Sequence, residues 1–521
     1  MKIEISNLGV IQKAAIDLKP LTVFVGSSGT GKTWTAYTLA SILSKHGLKR
    51  YLEAYSDNKN QVKYDSLDKG IEEFLEIGNF QLNLIGFAEE YAEKYLNDVS
   101  HISQSWLSKF LNTARVNFNN LQVDFRFDEL KKEFFERIKK YSLDKKRTFG
   151  SHLSLQILKQ ENEEYIYFYR ISESDKDNIK LPPIFNKVIR DLFSETILSI
   201  IHQCLYSFVY IFPTERTTYV GFPFSVQKKV NIDKALLEKI IENIQEDNIN
   251  VDNKGLEDNN SEKDTNKNAN DKQKILAQVI ELLNSLEEET NPGEPKPGKQ
   301  ERSPGKSAAI QSLTQIIAVA SMKTDDERQE EAEKNPKILD YINLANFLQE
   351  DILYGNVKVD SSTLQNEIIF QPSKDINLEM QVASSMVKEL APLYLCLRYL
   401  VEPDELLIID EPEMNLHPAA QVQIIEFLAM LVQAGLKVLI TTHSPYIVDH
   451  LSNLMKAAKY EDKENLKERF YLERTEAFIP QEQVSVYLFE DGTAKNILHE
   501  DGRIDWGTFG NVSEDISHIF P

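Results

Sequence analysis

A glycine-rich octet near the N-terminus has the residue types and the spacing of a phosphate-binding loop. It consists of Gly26, Ser27, Ser28, Gly29, Thr30, Gly31, Lys32 and Thr33. The octet fits G-x-x-x-x-G-K-[ST], with an apolar strand pattern before it and a helical pattern after it. The glycines let backbone N–H groups point at phosphate oxygens. We therefore expect Lys32 to reach the β- and γ-phosphates of a nucleotide and Thr33 to coordinate Mg²⁺. A chance turn before a helix is the alternative, and the two matching flanks disfavour it.

A pair of carboxylates, Asp410 and Glu411, follows the apolar run 406–409. This is a Walker B arrangement, in which Asp410 would hold Mg²⁺ directly or through water. Glu411 would act as the general base that polarises the attacking water. An acidic end of a strand is weak evidence by itself, since many strands end in acidic turns. Together with the octet it predicts a site that hydrolyses a nucleoside triphosphate.

Two further sequence strings indicate which class of ATPase the chain resembles: IIDEPEMNLHP at 408–418 and TTHSP at 441–445. With them the chain resembles the ATP-binding-cassette ATPases, and more closely a prokaryotic AAA-family branch. That branch includes the SMC and RecF-type proteins and the ATPase half of the OLD (overcoming-lysogenisation-defect) family. The resemblance covers 1–45 and 375–450 well, and extends loosely to the Pro-x-Glu-Arg segment at 213–216.

The resemblance implies ATP and Mg²⁺ as cofactors and assigns roles to individual residues. Glu413 to Leu416 would form a loop that crosses a dimer interface. His443 would be the switch histidine that senses the γ-phosphate, although an ordinary surface histidine could also stand at this strand end. Lys32, Glu411 and His443 are then the candidate catalytic residues, and Thr33 and Asp410 the candidate metal ligands.

The stretch VASSMVK, which opens the helix before the carboxylate pair, stands where such ATPases carry a Leu-Ser-Gly-Gly signature. Ser384 and Ser385 would contact ATP held by the opposite subunit, or would cap the helix, and both can hold. Thr35 could touch the α-phosphate, whereas Trp34 is expected to pack. Gln156 is the candidate for the glutamine of the Q-loop.

The surrounding elements predict an α/β fold, an ABC-type P-loop ATPase head with a mixed sheet interrupted by helical insertions. Strands fill residues 1–25, and strand and helix alternate after residue 340, as parallel sheets require. A β-hairpin is predicted over 150–172, and the region from about 50 to 145 reads as helical. The predicted parts are 1–45, head; 46–210, mainly helical insertion with the hairpin; 211–227, return to the head; 228–340, partly disordered helical insertion; and 341–521, head.

Amino-acid composition argues against several classes of protein. The 521 residues carry 59 Lys and Arg against 81 Asp and Glu, a formal net charge of −22. This argues against a surface that binds nucleic acid throughout but allows a local basic groove. The basic residues at 139–140 and 145–147 could touch phosphate or form a solvated helix end. Two cysteines exclude a disulfide framework, and the lack of a long apolar run predicts a cytoplasmic protein without a membrane span.

A second active site is not expected. The OLD family joins its ATPase to a Toprim nuclease, which needs a glutamate and an Asp-x-Asp motif. Here Glu490 and Asp491 read as a hairpin turn, and no Asp-x-Asp follows. His417 and His443 lack the further ligands of a zinc site.

We therefore expect an ATPase that closes a homodimer, or a higher oligomer, around ATP. Its output would belong to a separately encoded effector, a nuclease or toxin, in prokaryotic anti-phage defence. The alternatives are a DNA-repair or chromosome-associated ATPase that binds DNA directly, and a subunit of a membrane transporter. The degenerate signature and large insertions argue against a transporter.

Overall fold

The computed structural model describes residues 1–56, 64–127, 131–149, 153–171, 184–220, 307–360 and 367–506. The low-complexity segment 245–272 and the Pro- and Gly-rich segment 291–306 lie outside these ranges. The chain divides into two compact units. The first contains Met1–Val209, Asp404–Glu413 and Gln421–Pro521, and the second contains Tyr210–Pro403 and Met414–Ala420.

The strands are β1 Lys2–Leu8, β2 Ile11–Asp17, β3 Leu21–Val25, β4 Asn79–Asn83, β5 Gln122–Arg126, β6 Leu143–Phe149, β7 Leu153–Lys159, β8 Tyr165–Ile171, β9 Val209–Phe212, β10 Asn356–Asp360, β11 Glu367–Ser373, β12 Ile376–Glu379, β13 Leu406–Asp410, β14 Lys437–Thr442, β15 Val484–Glu490 and β16 Thr493–Asn496.

The α-helices are α1 Lys32–Leu43, α2 Lys45–Ser56, α3 Asp65–Ile77, α4 Leu84–Ser103, α5 Leu107–Phe110, α6 Lys131–Lys140, α7 Ile184–Leu205, α8 Arg216–Val220, α9 Ala308–Ala320, α10 Asp325–Lys334, α11 Lys337–Phe347, α12 Ser385–Tyr399, α13 Pro418–Gln433, α14 Pro445–Ala458 and α15 Lys463–Leu466. A π-helical turn spans Leu348–Ile352, and 3₁₀ turns span Lys467–Arg469, Thr475–Ala477 and Gln481–Gln483. Within the described ranges, no helix combines the length and apolarity needed to cross a membrane.

A nine-stranded mixed sheet has the order β5-β1-β2-β16-β15-β3-β14-β13-β9. Its centre is parallel, since β3 pairs in parallel with β14 and β15, and β14 with β13. All residues of β3 and β13 are buried, which explains why both read as continuous apolar runs rather than alternating ones. The predicted α/β fold with a mixed sheet is therefore confirmed.

The antiparallel part of this sheet includes a hairpin and one unexpected strand. β15 and β16 pair antiparallel with Asp491 and Gly492 between them, both at positive φ, so the predicted turn is confirmed. β5 pairs with β1, although it lies in the region predicted to be helical. The burial of β5 alternates along its five residues, but so short an alternation is a weak local signal.

A separate four-stranded antiparallel sheet has the order β4-β8-β7-β6. It contains the predicted hairpin, formed by β7 and β8. One face is buried, and there Phe80 and Phe168 stack against Phe193 of α7. The basic residues at 145–147 lie on edge strand β6, so the expectation of a helix end there was wrong; 139–140 do end α6.

The second unit contains a three-stranded antiparallel sheet, β10-β11-β12, and a buried ion pair. Arg216 Nε lies 2.7 Å from Glu389 Oε2, and the two side chains are 2% and 0% exposed. Asn415 Nδ2 donates to Glu389 Oε1 at 2.9 Å. Glu389 of α12 therefore connects the first residue of α8 to the loop that follows Glu413.

Replacing Glu389 by glutamine should destabilise the protein strongly. The substitution keeps the shape and an acceptor for Asn415 but removes the negative charge that lies 2.7 Å from the buried Arg216 guanidinium, at a cost of about 3 kcal/mol. Chemical denaturation, monitored by circular dichroism, measures the decrease in the free energy of unfolding. Asp501→Asn is the matched control, since its partner Arg503 is 72% exposed and solvent screening should keep its effect far smaller. Equal unfolding of Glu389→Gln and wild type would contradict the assignment.

Candidate functional site

The candidate site forms where three parallel strands end together. In the register of the sheet, Val25 of β3 lies beside Thr442 of β14, and Thr441 lies beside Asp410 of β13. Carboxyl ends of parallel strands share one edge of a sheet, so the segments that follow them meet. This places the octet 26–33, the Asp410–Glu411 pair and His443 at one location.

The octet adopts a backbone shape that only glycine permits at two positions. Gly26 has φ +143° and Gly31 has φ +98°. A Cβ at Gly26 would lie 2.4 Å from the Phe489 carbonyl oxygen, and one at Gly31 would lie 2.7 Å from Ile11 Cγ1. Gly31 also precedes the first residue of α1, so the helix N-terminus opens on the loop and favours an anion there.

The Lys32 side chain folds back into this loop. Its Nζ donates to the carbonyl oxygens of Gly26 at 2.8 Å and Ser27 at 2.9 Å, and the residue is 4% exposed. Burial lowers its pKa to about 8, while Glu411, Asp410 and Glu413 act in the opposite direction. A buried cation held by carbonyls at a glycine-rich turn fits a phosphate group, because an anion there restores the favourable charge environment.

Thr33 and Asp410 bring two oxygen donors together. Thr33 Oγ1 donates to Asp410 Oδ1 at 2.9 Å, and Tyr37 donates to Oδ2 at 3.3 Å. The Thr441 hydroxyl also donates to Oδ1. A hydroxyl and a carboxylate beside a phosphate site are the ligand types that Mg²⁺ takes, with the remaining positions filled by water and phosphate. These residues fit that ion.

Glu411 and His443 form a second polar pair. Glu411 has φ +49°, in the left-handed region that non-glycine residues rarely adopt. Its N–H donates to the Thr441 carbonyl at 3.0 Å, and this bond helps hold that conformation. His443 Nε2 lies 3.0 Å from Glu411 Oε1 and 3.2 Å from Lys32 Nζ. One ring nitrogen cannot donate to the carboxylate and accept from the ammonium at once, so only one of these two contacts can be a hydrogen bond at a time.

Glu413, which the resemblance places in a loop that crosses a dimer interface, also makes contacts within its own chain that the sequence did not indicate. Its Oε1 accepts from Thr442 Oγ1 and from the His443 N–H, both at 2.7 Å. Burial raises the pKa of this carboxyl group. Its other oxygen, Oε2, is buried with no hydrogen-bond partner among the residues that the structure describes. Glu413 therefore anchors the segment that carries His443, and this contact lies within one chain.

The remaining predicted residues lie as follows. Thr35, the candidate for contact with the α-phosphate, is fully buried on α1. Ser384 accepts from the Val387 N–H at 3.3 Å and caps α12, as one of the two interpretations predicted. Trp34 packs on Phe118 at 5.9 Å. Gln156 lies on β7 of the four-stranded sheet and donates to Asp144 at 2.9 Å, away from the edge that carries the site.

Comparison with known proteins shows the family. The model of the AAA ATPase domain family matches residues 1–448, and the chain belongs to this family, as the sequence predicted. No curated protein matches the chain.

The chain is also similar to solved structures, among them an Smc head domain and a RecF protein. The Smc head domain with an extended coiled coil, bound to the C-terminal domain of ScpA and derived from Pyrococcus furiosus, is 10% identical. The match covers 99% of this chain and 98% of that chain, with a TM-score of 0.33. The recombination mediator protein RecF of the RecFOR pathway is 11% identical over 95% and 97% of the two chains, with a TM-score of 0.29.

Nucleotide binding should take up a proton in mildly alkaline solution. With a pKa of about 8, most Lys32 side chains lack their extra proton at pH 8.5, whereas most carry it at pH 7. A bound phosphate raises this pKa, so uptake should be roughly half a proton or more at pH 8.5 and close to none at pH 7. Calorimetry in buffers of different ionisation enthalpy measures it. A Lys32→Arg variant that binds nucleotide should show no proton uptake. Equal proton uptake by the wild type at both pH values would contradict the assignment.

Proposed function

We propose that this chain hydrolyses Mg²⁺-bound ATP at the shared edge of β3, β14 and β13. The observation that carries the proposal is the convergence of Lys32, Thr33, Asp410, Glu411 and His443 into one hydrogen-bonded group. These side chains come from segments more than 370 residues apart. Membership in the AAA ATPase domain family supports it independently.

The residues have separable tasks in this reaction. Lys32 would neutralise charge on the β- and γ-phosphate oxygens, and the octet backbone would hold them through its N–H groups. Thr33 and Asp410 would hold Mg²⁺, which supplies charge neutralisation when bound. Glu411 would orient the attacking water and accept its proton. His443 would contact the γ-phosphate, at a position fixed by Glu413.

The finer part of the proposal concerns what hydrolysis controls. ATP would close a homodimer in which Ser384 and Ser385 of one subunit face the nucleotide of the other, and hydrolysis would reopen it. The output would pass to a separately encoded nuclease or toxin in anti-phage defence. Support for this comes from the motif string at 408–418, which resembles that of OLD-type and SMC-type ATPases, and from the exposure of both serines at the start of α12.

Two substitutions separate binding from hydrolysis. Lys32→Ala should abolish ATP binding, because it removes the buried ammonium from the loop. Glu411→Gln should bind ATP but lower kcat at least a hundredfold and accumulate an ATP-bound dimer. Nucleotide binding, phosphate release and light scattering measure these effects. Hydrolysis by Glu411→Gln at the wild-type rate would overturn the mechanism.

The same pair of variants tests the effector. Glu411→Gln loaded with ATP is used as bait for the products of the neighbouring reading frames, and Lys32→Ala serves as the matched control. Selective capture of a nuclease or toxin by the trapped form supports the finer proposal. Equal capture by both variants, or capture by neither, would overturn the effector proposal without affecting the proposal of ATP hydrolysis.

Glu413 provides a third test, which separates positioning from direct contact. Glu413→Ala removes the acceptor for Thr442 and the His443 N–H, so kcat should fall about tenfold or more with little change in KM. Glu413→Gln retains a carbonyl oxygen that can accept both bonds and should keep most of the activity. If the alanine variant is as active as wild type, or if the glutamine variant loses as much, the positioning role is wrong.

A further inference from the structure

The four-stranded sheet has an exposed face that carries three tyrosines on one strand. Tyr165, Tyr167 and Tyr169 alternate with the buried residues of β8, and β8 is an inner strand of the sheet. Tyr165 is 38% and Tyr169 40% exposed. Hydrogen bonding and burial in the sheet hold the strand in place, so the rings form a fixed surface feature.

The tyrosine rings are ordered relative to one another. The rings of Tyr167 and Tyr169 have centroids 6.0 Å apart and planes within 4°. Tyr165 follows at 6.4 Å from Tyr167 with a tilt of 33°. Aromatic side chains two residues apart on an inner strand of a four-stranded sheet can each stack on one unpaired base.

Polar and basic side chains flank these rings on the same face. In the register of the sheet, Tyr169 lies beside Asn79 of β4 on one side and Gln156 of β7 on the other. Gln156 in turn lies beside Lys146 of β6. Two strand spacings put Lys146 about 10 Å from Tyr169 along the sheet, within reach of a phosphate attached to a base stacked on that ring. Asn79 is exposed and can bond a base edge.

Charge varies along the face and limits where an anion could lie. Lys146 is exposed on edge strand β6 near the Tyr169 end, whereas Arg147 lies beside Leu155 and alternates onto the opposite face. Glu163 and Glu164 lie in the turn before β8, at the Tyr165 end. Asp144 shares the face with Lys146, and its carboxylate accepts from Gln156. A phosphate backbone would therefore run past Tyr167 and Tyr169 beside β6.

We propose that this face, defined by Tyr167, Tyr169, Asn79 and Lys146, binds single-stranded nucleic acid. Bases would stack on the two rings, and Lys146 would pair with the phosphate. A single strand fits better than a duplex, because the rings need unstacked bases. The function is separate from ATP hydrolysis, since these residues lie outside the group around Lys32.

Fluorescence anisotropy of the full chain with labelled single-stranded dT and U oligonucleotides and a matched duplex tests the proposal. Without nucleotide, and equally in the Lys32→Ala background, the single strands should bind more tightly than the duplex. Tyr167→Ala with Tyr169→Ala should weaken binding at least tenfold. Lys146→Ala should weaken it and flatten the salt dependence by roughly 0.7 in the logarithmic slope, the value for one phosphate contact.

Matched variants control for indirect effects. Tyr169→Phe keeps the ring and should bind like wild type, and Tyr460→Ala removes a tyrosine that is 57% exposed elsewhere and should have no effect. Circular dichroism verifies that every variant folds. The proposal is overturned if no single strand binds at low salt, if the duplex binds better, or if the double alanine variant binds as wild type does. The comparison of dT with U shows which polymer is preferred.

Discussion

The registered pairing of β3, β14 and β13 is the constraint on which the site depends. Because Asp410 lies beside Thr441, its Oδ1 accepts from the Thr441 hydroxyl, and the same oxygen accepts from Thr33 Oγ1. A shift of one residue in the pairing of β3 with β14, or of β14 with β13, would turn these side chains to the opposite face of the sheet. The polar group at the edge is therefore fixed by the backbone ladder before any ligand contributes.

The same constraint explains what could be predicted from sequence. The octet at 26–33 and the run ending in Asp410 are local patterns, so their spacing alone indicated phosphate-binding and acidic elements. That they act together was predicted from the pairing of the two motifs, and the shared edge of the parallel strands β3, β14 and β13 is what brings them together. The strand β5 was missed because its pairing with β1 depends on residues more than a hundred positions away, and β6 because its charged residues, Lys145 to Arg147, resemble a solvated helix end.

The candidate site residues also differ in how far sequence alone could predict their roles. Lys32 and Thr33 take their roles from the loop that contains them, and so sequence was enough to nominate them. Glu413 takes its role from Thr442 and His443, which β14 brings to it. Thr35 was nominated from its place after the octet, and its side chain is buried because α1 is buried at every position from Thr35 to Leu43. Position relative to a motif predicts backbone location better than side-chain direction.

Charge balance at the edge supports the proposal that the site binds a nucleotide together with a divalent cation. Asp410, Glu411 and Glu413 lie around the Lys32 ammonium, whose pKa burial lowers to about 8. A triphosphate alone would add negative charge beside these carboxylates and be repelled. A divalent cation on Thr33 and Asp410 would reverse the sign locally. The carboxylates would thus disfavour the bare anion and favour its metal complex, a selectivity that would need the octet and the acidic pair together.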